Sequence, residues 1–203
     1  MDICQLLEQI QLRSDYAGQL VHLEELPARP GQCSKLSHPL PATLVELLAR
    51  SDIDSLFSQQ VTALDAARRK QDAVVVTGTA SGKTLCYNLP ILESALNDPD
   101  ARALYLYPTK ALAQDQLKGL LELVDGIPDT AQAIRPGVYD GDTPTAQRRR
   151  IRNEANLVLS NPDMLHASIL PYHPKWATLF SGLRYVVIDE VHTYRGAFGS
   201  HVA

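Results

Sequence analysis

The chain is poor in cysteine. Cys4, Cys33 and Cys86 are the only three in 203 residues, and no two stand at a spacing that would suggest a disulfide framework or a zinc site. Long apolar runs are absent, so no segment approaches membrane-spanning length. The start, Met1-Asp2-Ile3-Cys4-Gln5, lacks the basic stretch and following apolar stretch of an export signal. These absences predict a cytoplasmic protein with no membrane partner. There is no internal repeat and no low-complexity segment. Strong net charge is also missing: the total is −4, and the acidic excess lies in residues 1–60. Bulk electrostatics therefore does not point to nucleic acid. What remains is an ordinary composition, 45% hydrophobic and 21% charged, long enough for one α/β domain with a core of its own.

Against this plain background the segment Thr77-Gly78-Thr79-Ala80-Ser81-Gly82-Lys83-Thr84 stands out. It follows the apolar run Ala73-Val74-Val75-Val76 and precedes Leu85-Cys86-Tyr87-Asn88-Leu89. The order predicts a buried strand, a tight loop of small residues and a helix start. Such a loop can wrap backbone N–H groups around a polyphosphate and aim a helix N-terminus at its charge. Gly82 allows close backbone approach, Lys83 can reach the β- and γ-phosphates, and the Thr84 hydroxyl can sit on Mg²⁺. The strict phosphate-loop pattern has glycine where this chain has Thr77. The match is to the Gly-Lys-Thr core in its strand–helix setting, and the competing reading is a small-residue turn with an incidental lysine.

A second apolar run, Leu183-Arg184-Tyr185-Val186-Val187-Ile188, ends in Asp189-Glu190-Val191-His192. Adjacent carboxylates at the end of a buried strand are costly unless a positive charge meets them. Mg²⁺ brought by ATP supplies it. Asp189 would hold the metal and Glu190 would polarise the attacking water, which makes Lys83, Asp189 and Glu190 the candidate catalytic residues. The competing reading is a solvated acidic turn. The phosphate loop about a hundred residues earlier makes it the weaker of the two.

Between these landmarks the pattern alternates. Strands are predicted at 73–77, 102–107, 134–139, 156–160 and 184–189, and helices at 83–96, 109–124, 144–153 and from 195. This predicts a mostly parallel sheet covered by helices on both faces. Residues 1–50 read as an N-terminal extension, helical at 2–12 and 43–50 and irregular through Pro27, Pro30, Gly31, Pro39 and Pro41. Residues 51–203 read as the main domain. Ligands bind such sheets at the carboxyl ends of the strands. Pro108-Thr109-Lys110, Asp140-Gly141-Asp142-Thr143 and Ser160-Asn161-Pro162-Asp163 all fall there, with the two motifs above. Arg148-Arg149-Arg150-Ile151-Arg152 is either a phosphate-tracking patch or the wet face of a helix.

Taken in order, these segments resemble the superfamily 2 nucleic-acid helicases of the DEAD/DEAH-box type, from about residue 50 to the end. Gln60 stands where that family places an adenine-reading glutamine. Thr79 to Thr84 is similar to motif I, Pro108 to Gln116 to motif Ia, Ser160 to Leu165 to motif Ib, and Asp189 to His192 to motif II. The Tyr139-Asp140-Gly141-Asp142-Thr143 loop resembles one that faces nucleic acid in DNA-acting members. The resemblance implies a RecA-like P-loop NTPase fold, ATP and Mg²⁺ as cofactors, and single-stranded nucleic acid as partner. It implies nucleotide contacts at Gln60, Thr79, Ala80, Ser81, Gly82, Lys83, Thr84 and His192, with Thr84 and Asp189 on Mg²⁺. It implies strand contacts at Pro108, Thr109, Lys110, Gly141, Asp142, Asn161 and Pro162, and the adjoining Arg148 and Arg152 join that set. Thr79 to Pro90 and His192 to Val202 look most like bacterial and fungal DNA-repair helicases that carry a C-terminal four-cysteine domain, a group implied to move 3′ to 5′. This chain has no such cluster, and Gln59 stands where the group favours histidine.

The family's next motif belongs on a further strand beyond Ala203, and its second RecA-like lobe supplies an arginine to the ATP site. The chain therefore reads as the N-terminal part of a longer helicase, a fold incomplete at its C-terminus. Two other classes stay open. A small-substrate P-loop NTPase would not need the Pro-Thr-Lys and Ser-Asn-Pro-Asp loops. A non-motor remnant would bind nucleotide or nucleic acid without turnover.

Overall fold

A computed structural model describes residues 2–25, 31–78, 81–125, 130 and 133–200. Two compact units divide the chain, Met1–Gly31 and Gln32–Ala203. The first holds helix α1 (Ile3–Gln11), whose apolar residues recur at helical spacing but none of which is buried. No helix among the described residues is long and apolar enough to cross a membrane.

The second unit is built on four strands, β1 (Arg102–Leu106), β2 (Pro136–Val138), β3 (Leu157–Ser160) and β4 (Leu183–Ile188). They pair in parallel in the order β2-β3-β1-β4. Leu106 lies level with both Ser160 and Ile188, so the carboxyl ends of three strands line up. The helices α2 (Ala42–Arg50), α3 (Ser58–Arg68) and α4 (Lys83–Asn97) precede β1, and α5 (Lys110–Val124), α6 (Thr145–Glu154), a short turn α7 (Pro162–Met164) and α8 (Ala177–Gly182) lie between the strands.

Period-two alternation on the central strands feeds two cores. Ala103, Tyr105, Leu157 and Leu159 face Leu44 and Leu47 of α2, Ile91 and Leu92 of α4 and Leu120 of α5. Leu104, Leu106 and Val158 face Ile169, Trp176 and Leu179 on the other side. Each fully buried leucine contributes about 1.5–3 kcal/mol relative to exposure. Helix α2, which the sequence analysis assigns to the N-terminal extension, is thus part of the principal core. Arg68 at the end of α3 ties the preceding segment down, donating to Glu93 on α4 at 2.6 and 2.9 Å and to the carbonyls of His38 and Pro39.

The first expected strand is a correction. Residues 71–78 form no strand, and Val74 and Val76 are 85% and 89% exposed. A strand needs a neighbour to take its N–H and C=O groups. Here the sheet ends at β4, and a groove lined by Ala73, Val75, Tyr185 and Val187 lies between it and this segment. The edge shows on β4 too: Tyr185 and Val187 pack inward, while Val186 and Ile188 are 53% and 41% exposed.

Candidate functional site

Lys83 opens α4, and Gly82 before it takes the left-handed conformation, φ 75°. Only glycine is comfortable there. A Cβ at this position would also lie 2.6 Å from the Gln60 amide nitrogen. The first turn of α4 holds no acidic side chain, and its N-cap residue, Gly82, has no side chain to cap it, which suits the helix start and its dipole to an anion. Gln60, buried at the start of α3, spans this junction. Its Oε1 accepts from the Phe57 N–H at 2.9 Å, and its Nε2 donates to the Gly82 carbonyl at 3.0 Å. Gln59 does the same for the Ser81 carbonyl at 3.0 Å. The Thr77 and Ser81 hydroxyls meet at 2.6 Å, and the Lys83 ammonium donates to the Thr77 carbonyl at 3.4 Å. These contacts draw Thr77, Ser81 and Lys83 together. Thr79 and Ala80 lie outside the described residues.

Asp189 directly follows β4, its N–H bonded to the Leu106 carbonyl on β1. One carboxylate oxygen accepts the Glu190 N–H at 2.9 Å, and the other accepts the Tyr87 hydroxyl at 3.3 Å. Glu190 is held at φ 50°, a strained position for a non-glycine residue. Its carboxylate lies 3.2 Å from His192 Nδ1. The His192 side chain itself is exposed, and the structure places it against Glu190. Lys83, Tyr87 and Asp189 line the same groove.

Tyrosines form the floor of this region. Tyr87 packs edge-on against Tyr105 at 5.9 Å, and Tyr105 stacks on Tyr107 at 6.2 Å. Burial, then the Asp189 charge, pushes the Tyr87 phenol up to about 12. Burial likewise raises Tyr105, Tyr107 and Tyr194. The Tyr194 hydroxyl donates to the Leu106 carbonyl at 3.2 Å, beside Asp189. Sequence reasoning missed this set. The available signal was that Tyr87 stands one helical turn after Lys83, which puts both on one face.

The other three loops stand along the same edge. Thr109 caps α5, accepting the Leu112 N–H at 3.2 Å. Lys110 is exposed and paired with Asp142 at 2.8 Å, which raises the ammonium's pKa. Pro108 is half-buried and Gly141 exposed. Asn161 is 8% exposed and caps α7, accepting the Met164 N–H at 2.9 Å above a buried Pro162. Its neighbour Ser160 donates to the Tyr139 carbonyl at 2.6 Å, which locks this loop to the next.

The arginines separate. Arg148 turns back on the 139–143 loop, donating to the carbonyls of Thr143, Asp140 and Gly141 at 2.8, 3.0 and 3.1 Å. It also lies 5.4 Å over the Tyr139 ring. Arg150 pairs with Glu154, one turn on. Arg152 shares the α6 face of Arg148 and is half-buried. Arg148 was expected to share phosphate tracking with Arg152, but here it staples a loop.

Residues 57–203 match the family described as DEAD/DEAH box helicase. An uncharacterized ATP-dependent helicase of Bacillus subtilis, YprA, is 46% identical over 195 residues, 95% of this chain and 26% of that protein. The ATP-dependent helicase hrq1 of Schizosaccharomyces pombe is 41% identical over 202 residues, 98% of this chain and 19% of its own length. The crystal structure of the DUF1998 helicase MrfA bound to DNA and AMPPNP superposes with a TM-score of 0.84 at 42% identity. It covers 100% of this chain and 27% of that one. The chain spans about a quarter or less of these relatives.

Proposed function

The chain belongs to the DEAD/DEAH box helicases, and from that premise we propose that it is the ATP-binding lobe of an ATP-dependent DNA helicase. One observation carries the reading: Lys83, at an uncapped helix start, and Asp189, at the neighbouring strand end, line one groove. Residues 51–203 hold every motif, and together with α2 they form the nucleotide-binding domain. A second RecA-like lobe of the same protein closes the site. The relatives' greater length supports this, and the DNA in the MrfA structure supports DNA over RNA as the strand.

The donor set suits Mg²⁺ arriving with nucleotide. Among the described residues no three His, Cys, Asp or Glu side chains gather to hold a metal by themselves. Mg²⁺ commonly relies on one or two carboxylates, substrate phosphates and waters, and Asp189 with the Thr84 hydroxyl supplies the protein's share. ATP bound here supplies the phosphoryl group whose transfer releases energy. Lys83 neutralises charge on that group, the α4 N-terminus adds its dipole, and Glu190 orients the attacking water. Gln60, joined to Gly82, links base recognition to the loop. Thr109, Lys110, Asn161 and the 141–142 turn hold the strand's backbone, which positions it without reading sequence.

The test is ATP hydrolysis by the natural full-length protein with and without single-stranded DNA. Stimulation by the strand is expected. Hydrolysis indifferent to DNA, with phosphoryl transfer to a small acceptor, would put the protein among other phosphate-loop enzymes.

A further inference from the structure

The geometry points to Tyr87 as a positioning residue that couples nucleotide occupancy to strand binding, by sharing one hydroxyl proton between Asp189 and Gln116. This inference rests on the proposed ATP and strand sites. The Tyr87 phenol lies 3.3 Å from Asp189 Oδ2 and 3.4 Å from Gln116 Oε1. A phenol has a single proton to donate, so full bonding to one acceptor weakens the other. The two acceptors belong to different machinery. Asp189 is the metal-holding carboxylate at the end of β4. Gln116 lies on α5, the helix capped by Thr109 and begun by Lys110. Thr84, the other metal-holding residue, is also near enough to influence the phenol.

The ring cannot swing away freely. It is edge-on against Tyr105, which is stacked on Tyr107 and donates its own hydroxyl to Asn88 of α4 at 3.2 Å. With the ring packed in this way, the hydroxyl proton can still turn between Asp189 and Gln116. The other Asp189 oxygen accepts the Glu190 N–H, which favours this carboxylate orientation. When the negative charge of Asp189 is drawn off, it becomes the poorer acceptor and the proton turns to Gln116. That tightens α4 onto α5 and orders the Thr109–Lys110 turn. Thermodynamic reciprocity requires the converse: a strand that orders α5 must raise nucleotide affinity by the same factor.

The experiment measures single-strand affinity of the natural full-length protein, with and without Mg²⁺ and a non-hydrolysable ATP analogue. The ratio of the two affinities is the coupling. Tyr87→Phe keeps the ring and removes the proton. It should reduce the ratio about 3–10-fold, the effect of one ordinary hydrogen bond, with the melting temperature near that of the parent. Gln116→Met should reduce it similarly, and the double variant no further. A ratio within about twofold of the parent in Tyr87→Phe would overturn the inference. So would equal losses of both affinities with the ratio intact, the mark of a merely structural role. A parent protein that binds no nucleotide would instead remove the functional reading, and this inference with it. A parent that binds both ligands with a ratio of one would overturn the coupling alone.

Discussion

The side-chain amide of Gln60 donates to the carbonyl of Gly82 at 3.0 Å, and it occupies the space that a side chain at position 82 would need. The residue proposed to meet adenine and the loop proposed to meet phosphate are thereby joined. Gly82→Ala must both adopt φ 75° and displace that amide. We expect about 1–2 kcal/mol of lost stability by chemical denaturation from the backbone alone. Nucleotide affinity should fall at least about tenfold, because the shifted loop misaims the α4 N-terminus. An alanine variant that binds nucleotide like the parent would show that the loop tolerates a side chain.

Arg148 gives a second expectation. If Arg148 and Arg152 both neutralised phosphates, replacing the pair with alanine would lower the salt slope of single-strand binding by about 1.4, at about 0.7 per contact. The Arg148 guanidinium is committed to three backbone carbonyls. The double replacement should therefore lower the slope by about 0.7, through Arg152 alone. Arg148→Ala should loosen the 139–143 loop, seen as faster amide exchange there. A slope change near 1.4 would return Arg148 to the strand.

Much of this arrangement was legible from residue order. The periodicities placed α4, α5 and α6 within a residue or so, and the motifs that follow β1, β2, β3 and β4 do line one edge of a parallel sheet. The 73–77 run was misread because β-branched composition signals a strand only when a partner strand exists, and the partner is a tertiary fact. The Arg148 staple was illegible for a similar reason. An arginine run fixes charge, and its side-chain directions depend on which carbonyls the fold presents. The link between Tyr87, Gln116 and Asp189 was illegible because each helix residue reads alone, and Tyr87 meets Gln116 across 29 positions of chain and Asp189 across 102.

Arg68 supports the frame rather than the site. Its side chain is 19% exposed and that of Glu93 is 15% exposed, so loss of one partner leaves a poorly solvated charge. Arg68→Ala should cost about 2–3 kcal/mol in denaturant unfolding. It also releases the His38 and Pro39 carbonyls, so proteolysis near residues 35–40 should accelerate. A change below about 0.5 kcal/mol would mean that water replaces the pair without cost.

The tyrosine floor predicts alkaline behaviour. An unperturbed phenol titrates near pH 10. Of the eight tyrosines, Tyr87, Tyr105, Tyr107, Tyr185 and Tyr194 are raised in the folded chain, burial being the first cause for each. A raised folded value means that their stabilising contribution is complete below about pH 10. It is lost as pH climbs toward the folded values, about 12 for Tyr87. Tyrosinate absorbance should stay short of the eight-tyrosine total until the fold is lost, and then rise with it. Smooth ionisation of all eight in a folded protein would contradict the packing described.

The proposed function requires Lys83 and Glu190 to do different work in one site. The direct measurement is nucleotide binding and DNA-stimulated hydrolysis, side by side, in the natural full-length protein and its Lys83→Ala and Glu190→Gln variants. Lys83→Ala should lose hydrolysis and weaken binding, because a phosphate charge goes unmet. Glu190→Gln should keep binding Mg-ATP and hydrolyse it about a hundredfold or more slowly, because only the water loses its guide. Unchanged turnover in Lys83→Ala, or lost binding in Glu190→Gln, would contradict the assignment of the site.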